Sequence, residues 1–130
     1  MRHAAVLALA VQVIGIGAAI AQPSTPPQRE CFPINQLQGW KAPDNKTIYI
    51  RVNMNQYFRL DLAGTCAMLT MPDSHLITRA RGSDTICSAI DWDISVSESP
   101  PDAIPEACIV KQMTPLTPQE VSAIPPKFKP

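Results

Sequence analysis

Aromatic residues make up only 5% of this 130-residue chain, and glycine occurs five times. So few aromatics argue against a platform that stacks nucleic-acid bases. Two of the glycines, Gly15 and Gly17, lie near the N-terminus, and the rest are too scattered to form a phosphate-cradling loop. A charge excess is missing as well, because 11 Lys+Arg balance 11 Asp+Glu. A neutral chain lacks the basic footprint of a nucleic-acid binder. It also lacks a polybasic membrane anchor. There is no C-x-x-C pair, the local signature of zinc and thiol-redox sites, and no G-x-S-x-G nucleophile elbow. No cofactor is expected.

Proline is abundant, with 14 residues, and the chain begins with an apolar run. Arg2 and His3 precede Ala4 to Ile20, which is apolar apart from Gln12, and Ala19-Ile20-Ala21 is a small-x-small site. These are the parts of a cleavable secretory signal, so residues 1–21 are expected to be removed and Gln22 to begin the mature protein. The competing reading is an uncleaved anchor, but the run sits at the lower limit for a span and is rich in weakly apolar Ala and Gly. Export to the periplasm, or secretion, follows, with no transmembrane segment after cleavage. Residues 22–30 read as a flexible Pro-rich leader, 31–126 as one domain and 127–130 as a tail.

All four cysteines, Cys31, Cys66, Cys87 and Cys108, lie after the signal. An even count in a small exported domain implies two disulfides. Three connectivities are open. The strand layout favours the nested one, Cys66–Cys87 inside Cys31–Cys108, with the first and last strands meeting as a small sheet closes.

Alternation of apolar and polar residues marks the strands. Ile48, Ile50, Val52 and Met54 share one face, and so do Phe58, Leu60 and Leu62. Matching those faces pairs Ile48 with Leu62, Ile50 with Leu60 and Val52 with Phe58, across a loop of Met54 to Gln56 with Asn55 left-handed. Further strands are expected at Cys31–Trp40, His75–Ala80 and Ala107–Met113. Thr85–Cys87 and Trp92–Val96 read as another hairpin. Turns are expected at 41–45, 71–73 and 81–84, with a proline-rich loop at 98–105. Thr117, Pro118 and Glu120 form a helix start with a capping box, and Pro125 and Pro126 stop that helix. The fold class is therefore mainly all-β: a small antiparallel barrel or sandwich of six to seven short strands with one short C-terminal helix.

The stretches L-D-L-A-G-T-C, R-G-S-D-T-I-C-S and C-I-V-K-Q-M-T-P-L-T-P-Q-E-V-S-A-I-P resemble a family of small exported proteobacterial proteins classed only as a domain of unknown function. The four spaced cysteines and the L-T-P-x-E-V segment carry the resemblance, over about residues 31–126. It implies bacterial export and assigns no activity, ligand or catalytic residue.

Few residues invite chemistry. Asp91 and Asp93 flank Trp92 and could hold a divalent cation, but they suit a solvated strand face around a core tryptophan better. His75 has no nucleophile elbow to serve and reads as a surface histidine. Asn45-Lys46-Thr47 is an N-x-T sequon, idle in a bacterium. Charge is unevenly spread: residues 41–81 carry a net +3, residues 82–110 a net −6. In the register above, Arg51 lies opposite Arg59, and like charges across a sheet are unfavourable. Either nearby acids such as Asp61 neutralise the pair, which is the favoured account, or the guanidinium forks form an anion-binding site. The function expected is a non-catalytic binding or interaction module, with an envelope component or anionic ligand as partner. The alternatives are a structural or stress-related envelope protein without a small ligand and, less well supported, a hydrolase.

Overall fold

A computed structural model describes residues 30–98 and 104–130. The expected signal at 1–21, nearly all of the expected leader at 22–30 and part of the proline-rich loop lie outside the described residues. The strands are β1 (Phe32–Pro33), β2 (Leu37–Asp44), β3 (Thr47–Val52), β4 (Gln56–Leu62), β5 (His75–Ala80), β6 (Thr85–Ile86), β7 (Trp92–Ser97), β8 (Glu106–Cys108) and β9 (Val110–Pro115). They form three antiparallel sheets, ordered β2-β3-β4-β9, β5-β7-β8 and β1-β6. A single residue, Ile109, joins β8 to β9, so the chain passes directly from the second sheet into the first. The mainly β class, the short C-terminal helix and the two disulfides agree with the sequence reading.

The periodicity in β3 and β4 does what it should. Ile48, Ile50, Val52, Phe58 and Leu60 are fully buried, and Leu62 nearly so. The register, however, differs by two residues from expectation: Ile48 pairs with Leu60, Ile50 with Phe58 and Val52 with Gln56. A slip of two leaves every side chain on its original face, so periodicity is blind to it. Turn chemistry decides. Asn53, not Asn55, takes the left-handed conformation (φ 53°), and the loop becomes Asn53 to Asn55. Arg51 therefore faces Tyr57, and Arg59 faces Tyr49.

Residues 41–44, expected as a turn, belong to β2. Pro43 is tolerated there because β2 is an edge strand and its pairing shifts register between Lys41 and Asp44. The reversal happens at Asn45-Lys46, where the Asp44 carboxylate accepts the Lys46 N–H at 2.8 Å. The expected hairpin of 85–87 with 92–96 does not form, because Ile86 pairs with Phe32 instead. Between them Asp91 accepts N–H bonds from Cys87 (2.8 Å) and Ser88 (2.7 Å) and closes a 3-10 turn at Ala89–Asp91. That turn redirects the chain so that β7 lies between β5 and β8.

The disulfide pairing is likewise corrected. Cys31 is bonded to Cys87 and Cys66 to Cys108. The first strand meets β6, not the last strand, so Cys31 and Cys87 are neighbours of the Phe32–Ile86 pair. At the other bond, Ala63 donates its N–H to the Ile109 carbonyl at 2.9 Å, bringing the end of β4 beside β8. With loops of 56 and 42 residues, each bond removes unfolded-chain entropy of about 4 kcal/mol in the loop-closure account.

All three sheets feed one core. Phe32 packs tilted on Phe58 with ring centroids 5.1 Å apart and edge-on to Trp92 at 5.8 Å. Ile94, Val96, Leu69 and Ile86 complete it. The helix α1 (Pro118–Ala123) forms with the expected capping box: Thr117 donates its N–H to Glu120 at 2.8 Å, and Glu120 returns an N–H to the Thr117 hydroxyl at 3.3 Å. Ile124, just beyond α1, is buried. A 3-10 turn at Pro126–Phe128 follows, and Pro130 lies over Gly39, where an added Cβ would sit 3.6 Å from the proline Cβ.

Candidate functional site

The inner faces of β2, β3, β4 and β9 are occupied by core, so the outward positions of the same strands are free to do something else. Those are Gly39 and Lys41 on β2, Tyr49 and Arg51 on β3, Tyr57, Arg59 and Asp61 on β4, and Gln112 and Thr114 on β9. They form rows across the sheet. One row runs Lys41, Tyr49, Arg59, Thr114, and the next runs Gly39, Arg51, Tyr57. Alternation places three cations, Lys41, Arg51 and Arg59, on one face with Asp61 among them.

The two arginines found in the sequence share this face but are not directly opposed. Their circumstances differ. Arg59 is spoken for: its Nε donates to Asp61 at 2.9 Å, and a terminal guanidinium nitrogen lies 2.8 Å from the same oxygen. Among the described residues Arg51 forms no ion pair, and its Nε is buried with no hydrogen-bond acceptor. Burying a donor of a charged group without an acceptor is costly, so the arrangement is unsatisfied as it stands. The neighbours explain the burial. Tyr57 and Gly39 flank Arg51 on the two adjoining strands, and Pro130 lies over Gly39. Beside them Tyr49, Arg59 and Leu116 face Glu120, Ala123 and Ile124 across a hollow of about 210 Å³. A planar anion fits this chemistry, since a guanidinium offers a fork of donors to carboxylate or phosphate.

The other residues raised by the sequence have structural employment. Asp91 caps the 3-10 turn, also accepting the Ser88 hydroxyl at 3.0 Å. Asp93 pairs with Arg81, whose hydrogen bond holds the carboxyl below its ordinary range and raises the guanidinium in turn. Trp92 between them is core. Asn45 accepts the Thr70 hydroxyl at 2.7 Å, and His75 is an exposed residue of β5. Among the described residues no three His, Cys, Asp or Glu side chains converge as a metal site. No helix of the described residues is long and apolar enough to cross a membrane.

Sequence reasoning missed a groove of about 570 Å³ along β9, lined by Ala89, Ile90, Lys111, Met113 and Pro115. Ile90 is 76% exposed there. The signal was an isoleucine inside a capped turn, a position with no periodicity to flag it.

No curated protein and no solved structure matches the chain. A family model does: a family of unknown function, DUF6491, matches residues 1–125. With nearly its whole length matched, the chain belongs to that family.

Proposed function

We propose that this protein is an exported, non-catalytic binding module that holds an anionic ligand on the outer face of its four-stranded sheet, with Arg51 as the anchoring cation. One observation carries the reading: a half-buried arginine whose Nε has no acceptor among the described residues. A hydrogen bond to a charged group contributes on the order of 1.5–3 kcal/mol. An incoming carboxylate or phosphate recovers that contribution by drawing the guanidinium outward, since the Nε has no exposed surface where it now lies. Lys41 adds positive potential on the same face, while Asp61 offsets Arg59 and leaves the other two cations without an ion pair among the described residues. Export is supported by two disulfides, which persist in oxidising compartments, and by the signal-like character of residues 1–21.

The test is the melting temperature at low ionic strength with inorganic phosphate and, separately, with a sulfated oligosaccharide. Binding to the folded state raises it in a concentration-dependent way. Arg51→Gln should remove the rise. Wild type that melts at the same temperature with and without either anion would sink the reading.

A further inference from the structure

The sheets have four edges of note, and three are blunted. β2 carries Pro43 and two register shifts. β9 shifts register opposite Leu62 and ends in Pro115. β8 is three residues long, and its Glu106 carboxylate accepts the Met68 N–H at 2.9 Å. Proline, irregularity and brevity are the usual protections against edge-to-edge pairing. β5 has none of them. Its six residues, H-L-I-T-R-A, hold an unbroken register with β7 from His75–Ser97 to Ala80–Trp92. No Pro, Gly or Lys interrupts it, and at its middle Ile77 is 41% exposed.

The phase of the β5–β7 ladder shows which backbone groups remain outside it. Arg81 donates its N–H to the Asp91 carbonyl at 2.7 Å, which makes 81–91 a hydrogen-bonded pair one step beyond Ala80–Trp92. Such pairs alternate along an antiparallel ladder. Arg79, Ile77 and His75 therefore turn their backbone groups toward β7, and Ala80, Thr78 and Leu76 turn theirs away. Among the described residues no backbone hydrogen bond reaches those three from the other side.

We infer that β5 is a homodimerisation edge, along which a second copy of this chain lays its own β5 antiparallel through the free backbone groups of Leu76, Thr78 and Ala80. The strand suits itself. A two-fold axis perpendicular to the sheet keeps core face with core face and outer face with outer face. With the axis at Thr78, Thr78 meets Thr78 and Leu76 meets Ala80 of the second copy, so every outward residue finds a partner. Ile77 then lies against the stem of Arg79 of the second copy, covering its exposed surface while the guanidinium stays in water. His75 faces Arg81 of the second copy, whose charge Asp93 already offsets. The full chain has a formal net charge of zero, and loss of residues 1–21 removes only Arg2, so little long-range repulsion acts between copies.

The experiment is sedimentation of the oxidised chain over a concentration series, with amide hydrogen exchange at both ends of it. A monomer–dimer equilibrium is expected, with exchange at Leu76, Thr78 and Ala80 slowing as the dimer fills and exchange at Ile77 and Arg79 unchanged. Thr78→Pro removes an outward N–H that β7 does not use, and Ile77→Lys charges the contact. Each should weaken dimerisation: charge and proline are devices that blunt edges, and the loss of one backbone hydrogen bond corresponds to roughly tenfold weaker dimerisation. Should Thr78→Pro fail to fold, Ile77→Lys decides, since its side chain is on the surface. A chain that stays monomeric at about 1 mM, where only the weakest affinities remain unseen, overturns the inference. So does a dimer that survives both substitutions, or a monomer whose three free amides become protected only by a foreign extended peptide.

Discussion

Asp61 takes both contacts from Arg59 on a single carboxylate oxygen, although the two residues lie only two apart on one strand and point the same way. The pair is surface-exposed, so its own stabilising effect is small. Its consequence is selective: it neutralises one arginine of the face and leaves Arg51 alone. Asp61→Asn should therefore release Arg59 and enlarge the phosphate-dependent rise in melting temperature, whereas Arg51→Gln should abolish it. Equal responses from the two variants would show that the arginines act only as diffuse charge.

The crossed disulfides are open to direct mapping. Non-reducing digestion should yield a Cys31–Cys87 peptide and a Cys66–Cys108 peptide, with no free thiol in denaturant. Replacing Cys31 and Cys87 together by serine should cost about 4 kcal/mol by loop entropy, a large share of a small domain's stability.

The capping box at Thr117 gives a pH signature. The Thr117 backbone N–H, then its hydroxyl, hold the Glu120 carboxyl below its ordinary range. The unfolded chain takes up that proton more readily than the folded one, so the contribution is complete above the unfolded carboxylate range and fades as pH falls through the folded value. Glu120→Gln should flatten the acid limb of the melting curve slightly. Thr117→Ala should lower stability by about 1 kcal/mol at neutral pH, as expected for a lost N-cap.

Export itself can be weighed. Expressed with its own first 21 residues in a bacterium, the chain should reach the periplasm with an intact mass beginning at Gln22. A mass that retains residues 1–21 would show an anchor, with the folded domain held at the membrane.

Local chemistry was legible from residue order and long-range pairing was not. Ile48, Ile50 and Val52 announced their face through period two, and Thr117 and Glu120 announced a helix start, because both signals arise between residues a few positions apart. The register of β3 against β4 was hidden because a two-residue slip conserves faces, and Asn53 and Asn55 are equally suited to a left-handed turn. The meeting of Phe32 with Ile86, and with it the cysteine pairing, depends on a turn closed by Asp91, which reads in the sequence as one half of an acidic pair. The face of Arg51 and Arg59 was visible. That one of them is neutralised and the Nε of the other is buried without an acceptor among the described residues was not, since it rests on side-chain placement and on Pro130 lying over Gly39.

The interleaved order of the two disulfides has a consequence for wear. Any single backbone break between Cys31 and Cys108 leaves the fragments linked by at least one bond. A protease that clips a surface loop in this stretch, such as the Met71–Asp73 turn, produces a nicked but undivided molecule. Its core residues remain tethered at high effective concentration. Damage of that kind is visible only after reduction, and the domain can outlast it wherever proteases are present.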